Sequence, residues 1–130
     1  MTELQERMRN MLDGKNFAVV ATVNEDGSPH TSVVWVDRDD DALVFSTTAG
    51  RRKGRNLARD PRVSVTVLDA QNAYRTIDIA GTAELVADPD KRLPARLSQK
   101  YVGELPPPEP AEVRRWIVRV VPERITAFGA

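Results

Sequence analysis

The strongest constraint on this chain is a period of two. Val63, Val65 and Val67 alternate with Arg62, Ser64 and Thr66, as in a strand with one buried face and one wet face. The same reading predicts strands over residues 17–23, 30–36, 42–47, 62–68, 75–86, 116–121 and 124–128. In the second, Thr31, Val33 and Trp35 share one face and His30, Ser32, Val34 and Val36 the other. Asn24-Glu25-Asp26-Gly27 is a turn signal after the first strand, and the acidic run at residues 37–41 reads as a solvated hairpin loop. Gly81 marks a bulge or barrel corner in the long fifth strand, and Pro122 separates the last two. Short strands in tight hairpins leave edges to protect, and closing them into a small antiparallel barrel removes those edges.

Helices are few. Residues 2–13 form an amphipathic helix, with Thr2 and Gln5 at capping-box spacing and Gly14 as its stop. Residues 48–61 are a loop opening a short helix that Pro61 helps to end. A third helical stretch starts at Asp88-Pro89 and carries Leu93, Leu97 and Tyr101, with Pro94 predicting a break or a late start. Residues 104–110, with four prolines, are extended. At 130 residues this is expected to be one domain, 1–130. The longest apolar run, Phe17 to Ala21, is far short of a membrane span, and a cytoplasmic location is the default expectation.

Composition removes most residue-borne chemistry. With no cysteine there is no thiolate metal site or cysteine nucleophile, and one histidine, His30, excludes sites built on two imidazoles of one chain. No Gly-x-Ser-x-Gly elbow, phosphate-loop signature or dinucleotide fingerprint occurs. No metal site is expected. A catalyst built on this chain would rely on a bound organic cofactor.

The informative stretch runs from Ser46 to Leu57. The chain is neutral overall, yet residues 51–59 hold five basic side chains and no acid. Hydroxyls at a strand end, a glycine, clustered cations and a helix N-terminus together suit an anion. The plain alternative is a basic surface helix without a ligand, its cations exposed. Neutral net charge and 5% aromatic residues argue against a nucleic-acid surface.

Arg51-Arg52-Lys53-Gly54-Arg55-Asn56-Leu57-Ala58-Arg59-Asp60-Pro61-Arg62, directly after Phe45-Ser46-Thr47-Thr48, resembles the phosphate-binding segment of pyridoxamine 5'-phosphate oxidase-like split barrels. The resemblance extends to residues 21–30, 79–85 and 121–129, in the same order. It implies a mainly β, six- to seven-stranded antiparallel split β-barrel with a few short helices. It also implies a homodimer with cofactor sites between subunits. Within that superfamily the chain looks most like the branch that binds the deazaflavin coenzyme F420, with FMN as the alternative cofactor. The oxidases proper carry a longer C-terminal segment with substrate-binding Arg and His residues, so pyridoxamine phosphate oxidation is not expected here.

Carried over by position, Arg51 and Lys53 would bind the cofactor phosphate with help from Asn56. Ser46, Thr47 and Thr48 would lie beside the ribityl chain, and Ser32, Val33 and Val34 would back the tricyclic ring. Tyr74 and Arg75 sit where the family's partner subunit approaches the site. The implied reaction is hydride transfer to a flat, conjugated small molecule. An FMN-binding oxidoreductase and a non-enzymatic cofactor carrier are the rivals. Read from the residues alone, Val33 and Val34 are barrel wall, and Trp35 and Trp116 belong to the core or a dimer interface.

Overall fold

The structure, a computed structural model, describes residues 2–129. Helix α1 (Glu3–Asp13) is followed by strands β1 (Phe17–Val23), β2 (Pro29–Val34), β3 (Asp37–Asp39) and β4 (Ala42–Thr48). Helix α2 (Arg52–Arg59), strands β5 (Arg62–Asp69) and β6 (Asn72–Ala87), helix α3 (Arg92–Val102) and strand β7 (Arg115–Phe128) complete it. The seven strands form one antiparallel sheet in the order β2-β1-β5-β6-β7-β4-β3. Only Trp35 and Val36 separate the edge strands β2 and β3 along the chain, so the sheet must curl until its two edges meet. The expected split barrel is therefore present. Among the described residues no helix is long and apolar enough to cross a membrane.

The alternation predicted for the strands sets the core. Val20, Phe45, Val65, Val67, Ile77, Ile79, Val118 and Val120 point inward and are fully buried. Helix α1 adds Met8, Met11 and Leu12, and α2 adds Leu57. The capping box of α1 forms as expected, Gln5 N donating to Thr2 Oγ1 at 3.1 Å and Thr2 N to Gln5 Oε1 at 2.9 Å. A second, smaller cluster lies outside the barrel, where Leu93 and Leu97 of α3 cover Val44.

Three local expectations change. The acidic run is only partly a loop: Asp37–Asp39 pair with β4 as a strand and Asp40-Asp41 form the hairpin turn, with cations from three elements neutralising the run. Arg9 binds Asp41 at 2.7 Å, Arg96 binds Asp37 at 3.0 Å and Arg119 binds Asp39 at 3.3 Å. Strand β2 stops at Val34, two residues early, since Trp35 and Val36 turn the chain across to the other edge. Helix α3 starts late, at Arg92, as Pro94 predicts. Asp88 reaches forward to accept from Arg92 N and Leu93 N, both at 3.0 Å, and Pro94 falls in the first turn, where a missing N–H is harmless. The last two predicted strands are one. Strand β7 runs through Pro122 by a register shift, Ala80 pairing with Arg124 and Gly81 with Pro122, so Glu123 is the extra residue.

Gly54 fixes α2 to the end of β4. A Cβ at this position would collide with the Thr48 carbonyl, a backbone atom that cannot move aside alone. Alanine is ordinarily the better helix former by about 1 kcal/mol. Gly54→Ala is nevertheless expected to destabilise the protein by roughly 1–3 kcal/mol, the scale of overpacking, in a urea or guanidinium titration. A neutral or stabilised variant would contradict this packing.

Candidate functional site

A cleft of about 220 Å³ opens where β2, β4, α2 and α3 converge. Val33, Val34 and Trp35 form one wall, and Pro94, Leu97 and Pro106 the other. Ser46, Arg51, Lys53 and Arg115 supply its polar part. Strand pairing accounts for much of this assembly. Thr48 lies opposite Arg115 and Ser46 opposite Ile117, so the first residue of β7 arrives beside the hydroxyl of Ser46. Arg115 Nη1 is 3.4 Å from Ser46 Oγ.

The charge balance here is one-sided. Lys53 is only 9% exposed and, among the described residues, makes no ion pair. Burial holds its ammonium below the ordinary value of 10.5, and repulsion from Arg51 and Arg115 pushes it the same way. The carboxylate that pairs with a cation of the cleft is that of Glu109, on the segment between α3 and β7. Arg115 grips it with Nε and Nη2, each at 3.0 Å, and Lys91 Nζ lies 3.1 Å away. Those cations hold the Glu109 carboxyl down at about 2, from an ordinary 4.5. Arg51 is the N-cap of α2 and caps with backbone only, and no acid occupies the first turn. The helix thus presents its uncapped N–H groups on the same side as the cations.

The sequence-predicted residues divide into three groups. Val33, Val34, Ser46, Arg51 and Lys53 come together in the cleft. Ser32 and Thr47 stand next to it with buried hydroxyls that have no hydrogen-bond partner, and the Thr48 carbonyl accepts from Arg51 N at 3.2 Å. The others lie elsewhere on the chain. Asn56 faces the β1–β2 hairpin, donating to Thr22 Oγ1 and Asn24 Oδ1 at 3.0 Å each, so it pins the helix to that hairpin. Tyr74 is 80% exposed at the opposite end of β6, with Arg75 beside it 3.7 Å from Asp69. The expectation of exposed cations holds for Arg51 but not for Lys53.

Two functional side chains escaped the sequence reading. Trp35, expected in the core or an interface, lines the cleft and stacks on Tyr101 at 5.2 Å and 9°. Tyr101 in turn donates from its hydroxyl to the Asn16 carbonyl at 2.8 Å, which fixes the stack. Arg115 reaches the cleft only through a strand pairing distant in sequence, so no local motif announces it. Trp116 does pack against the core, as expected.

Against known proteins, the family model described as pyridoxamine 5'-phosphate oxidase matches residues 4–129. The chain belongs to that family. A pyridoxine/pyridoxamine 5'-phosphate oxidase of Escherichia coli O9:H4 is 30% identical over 112 residues, covering 85% of this chain and 46% of the enzyme. The chain thus spans less than half the length of such curated relatives. Among solved structures, an F420 reductase is 31% identical with a TM-score of 0.82, covering 91% of this chain and 94% of that one. A conserved hypothetical protein of Mycobacterium tuberculosis is 27% identical with a TM-score of 0.77, covering 98% of this chain and 84% of its own.

For this family member, the donor set fits the phosphate end of a flavin-type cofactor. A half-buried, unpaired ammonium, two guanidinium groups and a serine hydroxyl suit a phosphate, while Val33 and Trp35 suit a flat ring. The cleft's volume falls short of the roughly 300–1,000 Å³ usual for such sites.

Because the Lys53 charge has no partner, Lys53→Met should stabilise the ligand-free protein at neutral pH by roughly 1 kcal/mol. The sign follows from the lowered value. Its penalty is full where both folded and unfolded chains are protonated, and fades as pH rises through the folded value toward 10.5. Thermal unfolding at pH 7 and pH 10 tests this. The gain should shrink at the higher pH, and a variant less stable at pH 7 would contradict it.

Proposed function

We propose that this chain is an oxidoreductase dependent on coenzyme F420, using the cleft between β2, β4 and α2 as half of its cofactor site. The observation that carries the reading is Lys53, a buried cation without a counter-ion, flanked by Arg51 and Arg115. The likeness to an F420 reductase along 94% of that chain supports the choice of cofactor.

The reduced deazaflavin, when bound, supplies a hydride. The residues of this chain bind, orient and exclude water. Lys53, Arg51 and Arg115 neutralise the phosphate, and binding it relieves the repulsion among them. Val33, Val34 and Trp35 form an apolar wall for a flat ring, and a conjugated small-molecule substrate would stack on its far side. The final proton comes from solvent or from a nearby hydroxyl such as that of Ser46.

A second cleft, about 420 Å³, lies on the next face of α2 and is lined by Arg52, Arg55 and Arg59 with Asn24, Glu25 and Asp26. It offers the carboxylate-bearing tail of the deazaflavin a basic path. Arg7 and Arg9 do not join it: Arg7 donates to the Phe128 and Gly129 carbonyls, and Arg9 is held by Asp41.

The half-site calls for a second copy of the chain. On the outer sheet face one cross-strand row runs Phe17, Leu68, Thr76, Phe128, and Val33, 66% exposed, lies on the same face. The exposed Phe17, Val33 and Phe128 on this face suit a homodimer that also completes the site, with Tyr74 and Arg75 of one subunit reaching the other.

Parallel titrations with F420 and FMN at several salt concentrations test the reading. F420 should bind more tightly and lose affinity more steeply with salt, because more charges are screened. Arg51→Ala and Lys53→Ala should each weaken it by about 1–3 kcal/mol. Equal affinities with equal salt slopes would favour FMN, and normal binding by both variants would remove the cleft from the account.

A further inference from the structure

Among the described residues, Glu109 is the carboxylate that pairs with a cation of the cleft, Arg115, and a simple charge count makes it an obstacle to an anion. The hydrogen bonds point the other way. Arg115 meets Glu109 through its Nε and Nη2 edge, two bonds of 3.0 Å in a fork. That leaves Nη1, on the opposite edge of the planar guanidinium, directed toward Ser46 in the cleft. A long arginine side chain at the start of a strand has many rotamers, and the fork selects one of them.

We propose that Glu109 is a positioning residue, which holds Arg115 by one edge so that its other edge serves as the third cationic donor to the anion in the cleft. This rests on the phosphate reading of the cleft and goes beyond it by assigning a role to the segment between α3 and β7. That segment, residues 103–114, is tied down at both ends. Ser98 Oγ donates to the Glu104 carbonyl at 2.6 Å, and Lys91 Nζ donates to the Pro110 carbonyl at 3.0 Å. Pro106 lies between these ties and lines the cleft. Glu109 therefore reaches Arg115 from a fixed support. Lys91 shares the carboxylate at 3.1 Å, which reduces the repulsion Glu109 would exert on an incoming anion.

The test has a sign that separates positioning from charge. Inorganic pyrophosphate, which has no ring to bind elsewhere, is titrated calorimetrically into the full chain. Glu109→Gln removes a negative charge, so electrostatics alone would tighten binding. Loss of the fork should instead weaken it by roughly three- to tenfold. Arg115→Lys keeps the charge but cannot form the fork, and should lose a similar factor. Adding Glu109→Gln to Arg115→Lys should cost nothing more. Ser98→Ala removes the tie at Glu104 but keeps the Lys91–Pro110 tie next to Glu109, and should cost less affinity than Glu109→Gln.

Several results would overturn the proposal: equal or tighter binding by Glu109→Gln, a further loss in the Arg115→Lys background, or an equal loss in Ser98→Ala. If the wild type fails to bind pyrophosphate and Lys53→Ala changes nothing, the phosphate reading fails first and takes this role with it. Binding by the wild type with an indifferent Glu109→Gln sinks the positioning role alone.

Discussion

The pairing of β4 with β7, from Leu43 opposite Val120 to Thr48 opposite Arg115, carries both the barrel and the cleft. Its inward residues, Leu43, Phe45, Val118 and Val120, belong to the main core, while outward Val44 and Ile117 meet α3. Apolar packing on both faces makes the register hard to slip, since a one-residue shift would turn each face inside out. At the end of this ladder the chain leaves β4 for α2, and β7 begins with Arg115. Gly54 then lets α2 settle against the Thr48 carbonyl, which brings Lys53 next to Arg115.

Packing thus enforces an electrostatic arrangement that is unfavourable by itself. Most charges here have partners: Arg9, Arg38, Arg62, Arg96 and Arg119 each meet a carboxylate. Lys53 does not, although it is among the most buried charged groups. Exposed ion pairs contribute little, about 0–1 kcal/mol each, so the paired arginines add modestly to stability. An unpaired, half-desolvated ammonium is a real penalty, and an anion that removes it gains affinity from the relief.

Much of the fold was legible because its signals are local. The alternation of Val63, Val65 and Val67, the Thr2–Gln5 capping box and the bulge at Gly81 all depend on neighbouring residues, and all appear. Contacts between distant segments were not legible. Part of the acidic run, Asp37–Asp39, is a strand whose carboxylates are met by Arg96 and Arg119 from two other elements. Asn56, adjacent to the cleft in sequence, turns instead to Thr22 because helical geometry puts it on another face. Trp35 enters the cleft because the chain leaves β2 one residue before it, and Arg115 enters by strand pairing. Val33, Val34, Ser46, Arg51 and Lys53 were found together because the family resemblance already encodes such long-range contacts.

The central claim is that Lys53 is a buried cation awaiting an anion, and the titration of its own ammonium tests this most directly. With lysine labelled at Cε, carbon NMR follows that single group, assigned by comparison with Lys53→Met. Without ligand it should titrate below the ordinary 10.5, and saturating pyrophosphate should raise it. An ordinary value that pyrophosphate leaves unmoved would contradict the account.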